Sequence, residues 1–383
     1  MSDHDNPNEP AEAFDPDLVA LFNQDDQATE QAQQKPVARP EQRGRRTHRG
    51  RTIVLALVGA VVVVVLGFVL WFNHESGAHG APGAAVVINV KDGESISSVA
   101  TTLSNDGVID SALAFHLYGF LHGSPTPSPG LYQLHKNLSF SEIHTILSGL
   151  PNVHAMSVDP GLTLHEVAER VGDLPGFSAT GFEALAKSGT VRSTYAPAGS
   201  DNLEGLLGTG VYQVLPDESA TTLLSDMVQR FDAQASAAGL NSVSANALGL
   251  SEYEVIIAAS VVQKEGYYDK NMPDVARVIY NRLAANTPLQ MDSTVLYALG
   301  QDGGPVTSAD LKVQSPYNTY LNHGLPPTPI CMSSPAALSA AAHPPPGAWL
   351  YFVVVDKSGT EAFADTFSEQ LANERLAQSR GVG

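Results

Sequence analysis

The 383-residue chain has one cysteine, Cys331. No intramolecular disulfide can form, and no cage of cysteine thiolates can hold zinc. Basic residues are scarce as well: 21 Lys and Arg stand against 40 Asp and Glu, a formal charge of −19. That balance argues against nucleic acid as a partner, because a phosphate backbone rewards clustered cations. The twelve histidines are scattered. No His-Glu-x-x-His, phosphate-cradling or Gly-x-Ser-x-Gly pattern occurs, so neither a metal nor a cofactor is expected.

Against this background one segment stands out: Ile53 to Phe72, "IVLALVGAVVVVVLGFVLWF", runs for 20 residues without a charge. As a helix rising 1.5 Å per residue it spans the roughly 30 Å hydrocarbon core of a bilayer. Seven of the 21 bases fall between Lys35 and Arg51, and the "NHESGAHGAPGAA" that follows the span has none. The positive-inside rule then places the N-terminus in the cytoplasm and the rest of the chain outside. A cleaved signal peptide is the competing reading, since the small residues between Gly77 and Ala85 imitate a processing site. The 50-residue lead and the long apolar core favour an uncleaved anchor. Residues 1–50, rich in Gln, Asp and Pro, read as a disordered cytoplasmic tail. Ten acids precede Arg51, which leaves 30 acids against 14 bases beyond it. The exported part is expected to be an acidic body on a membrane tether.

A pattern recurs in that exported part: an apolar residue, a turn residue three later, Ser or Thr five later, then apolar residues six, nine and thirteen later. Val90 to Leu103, Leu134 to Leu147 and Val158 to Val171 fit it, and Val214 to Met227 fits more loosely. Each copy predicts a strand end, a turn, and a helix capped by the Ser or Thr. Ser139 with Glu142, and Thr163 with Glu166, have capping-box spacing. The first unit, with helices expected near Ser95–Asn105 and Ser111–Phe120 and a return strand at Gly130–Leu134, resembles a LysM module, a small βααβ glycan-binding fold. A purely structural α+β spacer is the other reading of the same pattern.

Ser251 and Glu254 in "SEYE" form another capping box, from which a helix is expected through "VIIAASVVQKE" to Gly266. This helix is apolar nearly all round and so should be buried. Glu265 lies in its last turn, on the face of Ala258, Val261 and Val262. Desolvation and the negative end of the helix dipole would both raise its carboxyl pKa, as a general acid requires. A merely solvated glutamate, or one paired with Lys264 or Arg277, is the plainer alternative.

The segments "AASVVQKEG", "VARVIYNRL" (275–283), "LQMDSTVLYALG" (289–300), "SPYNTYLNHGLPPTPI" (315–330), "AALSAAAHP" (336–344) and "WLYFVVV" (349–355) resemble, in content and order, the endolytic murein transglycosylases of the YceG-like family. "LEGLLGTGVY" (203–212) is similar to that family's "LEG" segment. The resemblance implies an α+β protein with a single N-terminal transmembrane helix (51–73), a linker (74–85), a LysM-like βααβ module (86–155), a YceG-like catalytic domain (156–375) and a short tail (376–383).

It also implies cleavage of the β-1,4 bond between N-acetylmuramic acid and N-acetylglucosamine in nascent peptidoglycan strands, with formation of 1,6-anhydro ends. The family's catalytic glutamate carries over onto Glu265. Gln290, Asp292, Thr294, Tyr317, Asn318, Thr319 and Tyr320 become candidate sugar contacts, with Glu204 behind them. As scaffolding instead, Asp292 would cap the next helix and Asn318 would hold a loop. Gln263 replaces a second glutamate common in the family, "CMSSP" (331–335) replaces a stretch that usually contains Asn-Pro-Gly, and Glu361 stands where a histidine is frequent. Those departures leave open an inactive peptidoglycan-binding scaffold that recruits peptidoglycan synthases or division proteins.

Overall fold

The computed structural model describes residues 47–266 and 268–382. The tail expected over 1–50 lies outside the described residues up to position 46. Helix α1 (Thr47–Ser76) contains the expected span, and its segment Gly50–Ser76 is long and apolar enough to cross a membrane by length and composition. The chain divides after Gly67 into two units, the first ending within α1 and the second holding all the other elements.

Strand β1 (Ala85–Val90), helix α2 (Ile96–Asn105), helix α3 (Ala112–His122) and strand β2 (Gly130–His135) follow in the order ββ-closed βααβ, with β1 antiparallel to β2 and Ile88 opposite Tyr132. Ser95 and Ser111 sit in extended backbone, and each accepts a backbone N–H three residues on, so the helices start where a short hydroxyl side chain can satisfy an orphan donor. The enclosed faces bury Ile88, Val90, Val99, Leu103, Phe115, Tyr132 and Leu134. Helix α4 (Phe140–Ser148), begun by the Ser139–Glu142 capping box, closes that cluster with Phe140, Ile143 and Leu147. Phe140 meets Phe115 edge to face at 5.3 Å.

The second ribbon pairs β3 (His154–Val158) with β4 (Gly210–Val214), antiparallel. Helices α5 (Leu164–Gly172) and α6 (Ala179–Ala186) lie between them in sequence. After β4 the chain forms α7 (Ala220–Ala237), α8 (Ser242–Ala247), α9 (Glu252–Glu265), α10 (Met272–Ala284), α11 (Asp292–Leu299) and α12 (Pro335–Ala342). A third antiparallel ribbon, β5 (Tyr351–Val354) with β6 (Glu361–Ala364), precedes α13 (Phe367–Ser379). This helix buries Ala377 and overruns the C-terminal tail expected from 376. All three sheets among the described residues are two-stranded, and the architecture is α+β.

Helix α9 explains why its sequence is apolar on every side. Val255, Ile256 and Ala259 belong to the cluster that contains β3, β4, α5 and α7, whereas Ala258, Val261 and Val262 belong to a second cluster with α10, Leu289, Met291 and Ile330. A helix shared by two cores has no wet face. Five β-branched aliphatic residues in "EYEVIIAASVVQKE" lower its intrinsic helix propensity. Burial overrides this at about 1.5–3 kcal/mol per large aliphatic side chain. The capping box of Ser251 and Glu254 fixes where the helix begins.

Candidate active site

Glu265 closes α9, and Gly266 donates its N–H to the Val262 carbonyl at 2.8 Å. The carboxylate does not simply look back along its own helix. Its Oε1 accepts the Ser293 hydroxyl at 2.6 Å and the Ser293 backbone N–H at 3.2 Å. Ser293 is the second residue of α11, so the acid rests on the positive end of that helix as well as at the negative end of α9. Burial still raises the Glu265 pKa above the ordinary carboxyl value; the Ser293 donors oppose this, and the nearby charges of Asp292 and Glu361 add to it. The expectation of a raised value therefore holds, with desolvation as its main cause. Neither cation weighed as a partner reaches the acid: Lys264 Nζ binds Asp302 Oδ1 at 2.6 Å, and Arg277 donates to the carbonyls of Pro345 and Pro344 at 2.5 and 3.2 Å.

Glu265 lies where two cavities meet. One of about 210 Å³ extends past Lys264, Ser293, Leu296, Tyr297 and Asp302. The other, of about 200 Å³, is walled by Arg282, Gln290, Tyr320, Tyr351, Phe352 and Gln370. Glu265 and Asp292 line both. A third cavity of about 340 Å³ shares Thr163, Tyr297, Gln301 and Asp302 with the first and contains Glu204. Together they form a groove with the acid in its course.

The structure sorts the candidate residues into two groups. Gln290, Asp292 and Tyr320 stand on the groove wall beside Glu265. Asp292 does not cap α11: the N-cap position is Met291, and Asp292 Oδ1 instead accepts the Tyr320 hydroxyl at 2.5 Å. Gln290 adopts a positive φ of 54° and accepts Arg282 Nη1 through its side chain at 3.3 Å. Thr294, Asn318 and Thr319 are inside the wall rather than on it, at 0%, 0% and 1% exposure. The Thr294 and Thr319 hydroxyls lie 2.8 Å apart, and Thr319 accepts the Met291 N–H at 3.0 Å. Asn318 donates to the carbonyls of Leu311 and Val313 at 3.0 and 2.9 Å and accepts the Tyr320 N–H at 3.0 Å. These three hold the loop that presents Tyr320. Tyr317 is half-buried; its hydroxyl lies 2.8 Å from that of Thr328, and its ring packs on Tyr297 at 4.8 Å.

Glu204 is 6% exposed. Its oxygens accept the Leu164 N–H at 2.9 Å and the Tyr297 hydroxyl at 3.0 Å, yet burial pushes its pKa up to about 7. The neighbouring Gly205 has φ +73° and abuts Pro329 so closely that a Cβ would collide with it, which ties the "LEG" turn to the "GLPPTPI" loop. Gln263 points elsewhere, accepting the Ser334 N–H at the start of α12 at 2.8 Å.

Ser293, Tyr297, Arg282, Tyr351, Phe352 and Gln370 of the groove escaped the sequence reading. Ser293 sits between two flagged positions in "LQMDST", and its value as a donor depends on α11 starting there. Arg282, 8% exposed, donates to the carbonyls of Leu350 at 2.6 Å and Leu289 at 2.8 Å, which joins α10, the 288–290 turn and the third ribbon into one wall.

The fold and groove define an α+β protein that brings the Glu265 carboxyl group, its pKa raised by burial, to the junction of two cavities. The chain belongs to the YceG-like family, which matches residues 88–376. It is 29% identical over 316 residues to the endolytic murein transglycosylase of Bacillus subtilis (strain 168), covering 77% of this chain and 86% of that protein. An endolytic murein transglycosylase of Streptococcus pneumoniae is 27% identical over 319 residues; 75% of this chain is covered, and it spans only 57% of the pneumococcal protein. A crystal structure of a putative yceG-like protein from Listeria monocytogenes has 27% identity and a TM-score of 0.50, covering 76% of this chain and 99% of that one.

Proposed function

We propose that this chain is a membrane-anchored endolytic lytic transglycosylase that cleaves the bond between N-acetylmuramic acid and N-acetylglucosamine within peptidoglycan strands. The observation that carries the reading is the Glu265 carboxyl group, with its raised pKa, at the junction of two cavities. An acid flanked by space on both sides suits a bond in the interior of a polymer.

In this reading protonated Glu265 gives its proton to the glycosidic oxygen as the bond to C1 of the muramic acid breaks. The C6 hydroxyl of the same sugar attacks C1 and closes the 1,6-anhydro ring. Its proton passes to the Glu265 carboxylate, which restores the acid. The nucleophile is part of the substrate, so proximity is supplied without a second protein carboxylate, unlike the paired acids of ordinary glycosidases. Ser293 holds the carboxylate oriented while it is ionised. Tyr320, Tyr351 and Phe352 line the space for sugars on one side, with Gln290 and Gln370 for hydroxyl and N-acetyl groups. Asp292, held by Tyr320, faces the same space. The Asn318, Thr319 and Thr294 network and Tyr317 position those walls, and Glu204 positions Tyr297.

Helix α1 serves in this reading as an uncleaved anchor with the N-terminus cytoplasmic. The βααβ unit at residues 85–135 has the strand and helix order of a LysM module, which supports a role in gripping glycan near the membrane. Peptidoglycan synthases or division proteins are the protein partners that such a location would bring within reach.

The test is muropeptide analysis of glycan strands incubated with the chain and with Glu265→Gln. The variant keeps size and hydrogen-bonding reach but has no transferable proton, so anhydro ends should fall by about two to four orders of magnitude. Near-wild-type product from Glu265→Gln refutes the assignment, and glycan binding without product by the wild type identifies a scaffold instead.

A further inference from the structure

The two ends of the groove differ in chemistry. On the Tyr320 side the wall offers three aromatic rings and two neutral amides; its one cation, Arg282, is 8% exposed and spent on the carbonyls of Leu350 and Leu289, and its acids, Glu265 and Asp292, are those shared with the next cavity. Beyond Tyr297 the 340 Å³ cavity is walled by His165, Glu166, Glu183, Lys187, Glu204 and Asp302, with no aromatic ring apart from Tyr297 itself. Neutral sugars gain from ring faces and gain little from ionised groups of both signs, which must be desolvated to meet them. A wall with both signs suits a ligand that also carries both.

Glu183 holds two exchangeable partners, of which His165 is charged only when protonated. Lys187 Nζ lies 2.6 Å from Glu183 Oε1, and His165 Nδ1 lies 3.0 Å from Glu183 Oε2. The Lys187 side chain is 50% exposed and that of His165 66%. Exposed pairs of this kind are weak, so a ligand can substitute for one partner at little cost. The cavity also adjoins the one beside Glu265, since Thr163, Tyr297, Gln301 and Asp302 line both.

We propose that this cavity is a subsite for the peptide stem that N-acetylmuramic acid carries, with a stem carboxylate on Lys187 and His165 and a stem amine on the Glu183 carboxylate so released. The inference rests on the transglycosylase reading for its substrate. It adds a branch to the groove: glycan through the two cavities that share Glu265, peptide in the one beyond Tyr297. Charge is conserved in the exchange, because each member of the Lys187–Glu183 pair gains a new partner of opposite sign. Glu204, beneath Tyr297, supports the wall between the two regions.

The test measures binding, so it does not depend on turnover. The full chain carrying Glu265→Gln, in detergent micelles, is titrated with glycan strands bearing intact stems and with the same strands stripped of stems by an amidase. Stem-bearing strands should bind about tenfold more tightly, the scale of one charge-assisted hydrogen bond. Adding Lys187→Gln should bring the ratio of the two dissociation constants close to one, and Lys187→Arg should restore it. Equal affinities with Lys187 intact, an unchanged ratio in Lys187→Gln, or no binding of either strand would overturn the subsite. Failure of the transglycosylase reading shows separately, as absence of anhydro ends when the unmutated chain is incubated with either strand.

Discussion

Glu204→Gln is a perturbation whose size can be worked from the buried carboxyl group itself. Glu204 is 6% exposed, and burial lifts its pKa from the ordinary 4.5 to about 7. Below pH 4.5 the group is protonated in both folded and unfolded chains and costs nothing. As pH rises through 4.5 the unfolded chain releases its proton while the folded chain keeps it, so stability falls until the folded group also ionises near pH 7. A displacement of that size corresponds to roughly 3 kcal/mol lost between about pH 4.5 and 7.5. Glutamine cannot ionise, and its carbonyl can still accept the Leu164 N–H. Its amide replaces the oxygen that accepts the Tyr297 hydroxyl, at a cost of about 1 kcal/mol. The variant should therefore be less stable than the parent near pH 4.5 by about 1 kcal/mol and more stable at pH 8 by about 2 kcal/mol. Denaturant unfolding of both proteins at half-unit pH steps reads the difference directly, with other titrations common to the two curves. Parallel pH profiles would show that Glu204 is ionised in the native state near its ordinary pKa, and the account of its environment would be wrong.

Asn318→Ala removes the side chain that joins Leu311, Val313 and Tyr320; we expect a loss of about 2–3 kcal/mol in denaturant unfolding, and a loss within 0.5 kcal/mol would count against the loop-holding role. Gly205→Ala should destabilise by more than 1 kcal/mol, because its φ of +73° and the contact with Pro329 both penalise a Cβ; an unchanged unfolding midpoint would contradict this. Gln263→Ala should keep anhydro product within about threefold of the parent, since its carbonyl is spent on Ser334; a hundredfold loss would make it part of the chemistry. A tag inserted before Arg39 should resist protease in intact spheroplasts while one after Gly383 is digested, and the reverse pattern would invert the orientation assigned from the basic residues.

Helix starts were legible because they are local. Ser95, Ser139, Thr163, Ser219 and Ser251 each accept an N–H three residues on, as their spacing predicts. Helix α9 was legible for a different reason: apolar residues all round leave burial as the only stable outcome. The placement of Glu265 against Ser293 was not legible, because 27 intervening residues and the start of α11 must be fixed before the two meet. Thr294, Asn318 and Thr319 looked like ligand contacts because they are polar groups in apolar surroundings. In the fold those surroundings close over them, and their hydrogen bonds go to one another and to backbone. Arg282 was missed because a lone arginine in a helix reads as surface charge, whereas here it satisfies carbonyls that the turn after α10 leaves unpaired.

The sharing of Glu265 and Asp292 between two cavities bears on how the groove could be blocked. Two small compounds, each fitted to one side, would meet across the same pair of carboxyl groups. Joining them with a tether that clears Asp292 makes the second contact intramolecular, and the gain is then set by the tether's length and stiffness rather than by any new contact. The two cavities are nearly equal in volume, so each compound would contribute a similar share of the buried area, and the linked molecule should tolerate change in either half better than a ligand confined to one cavity.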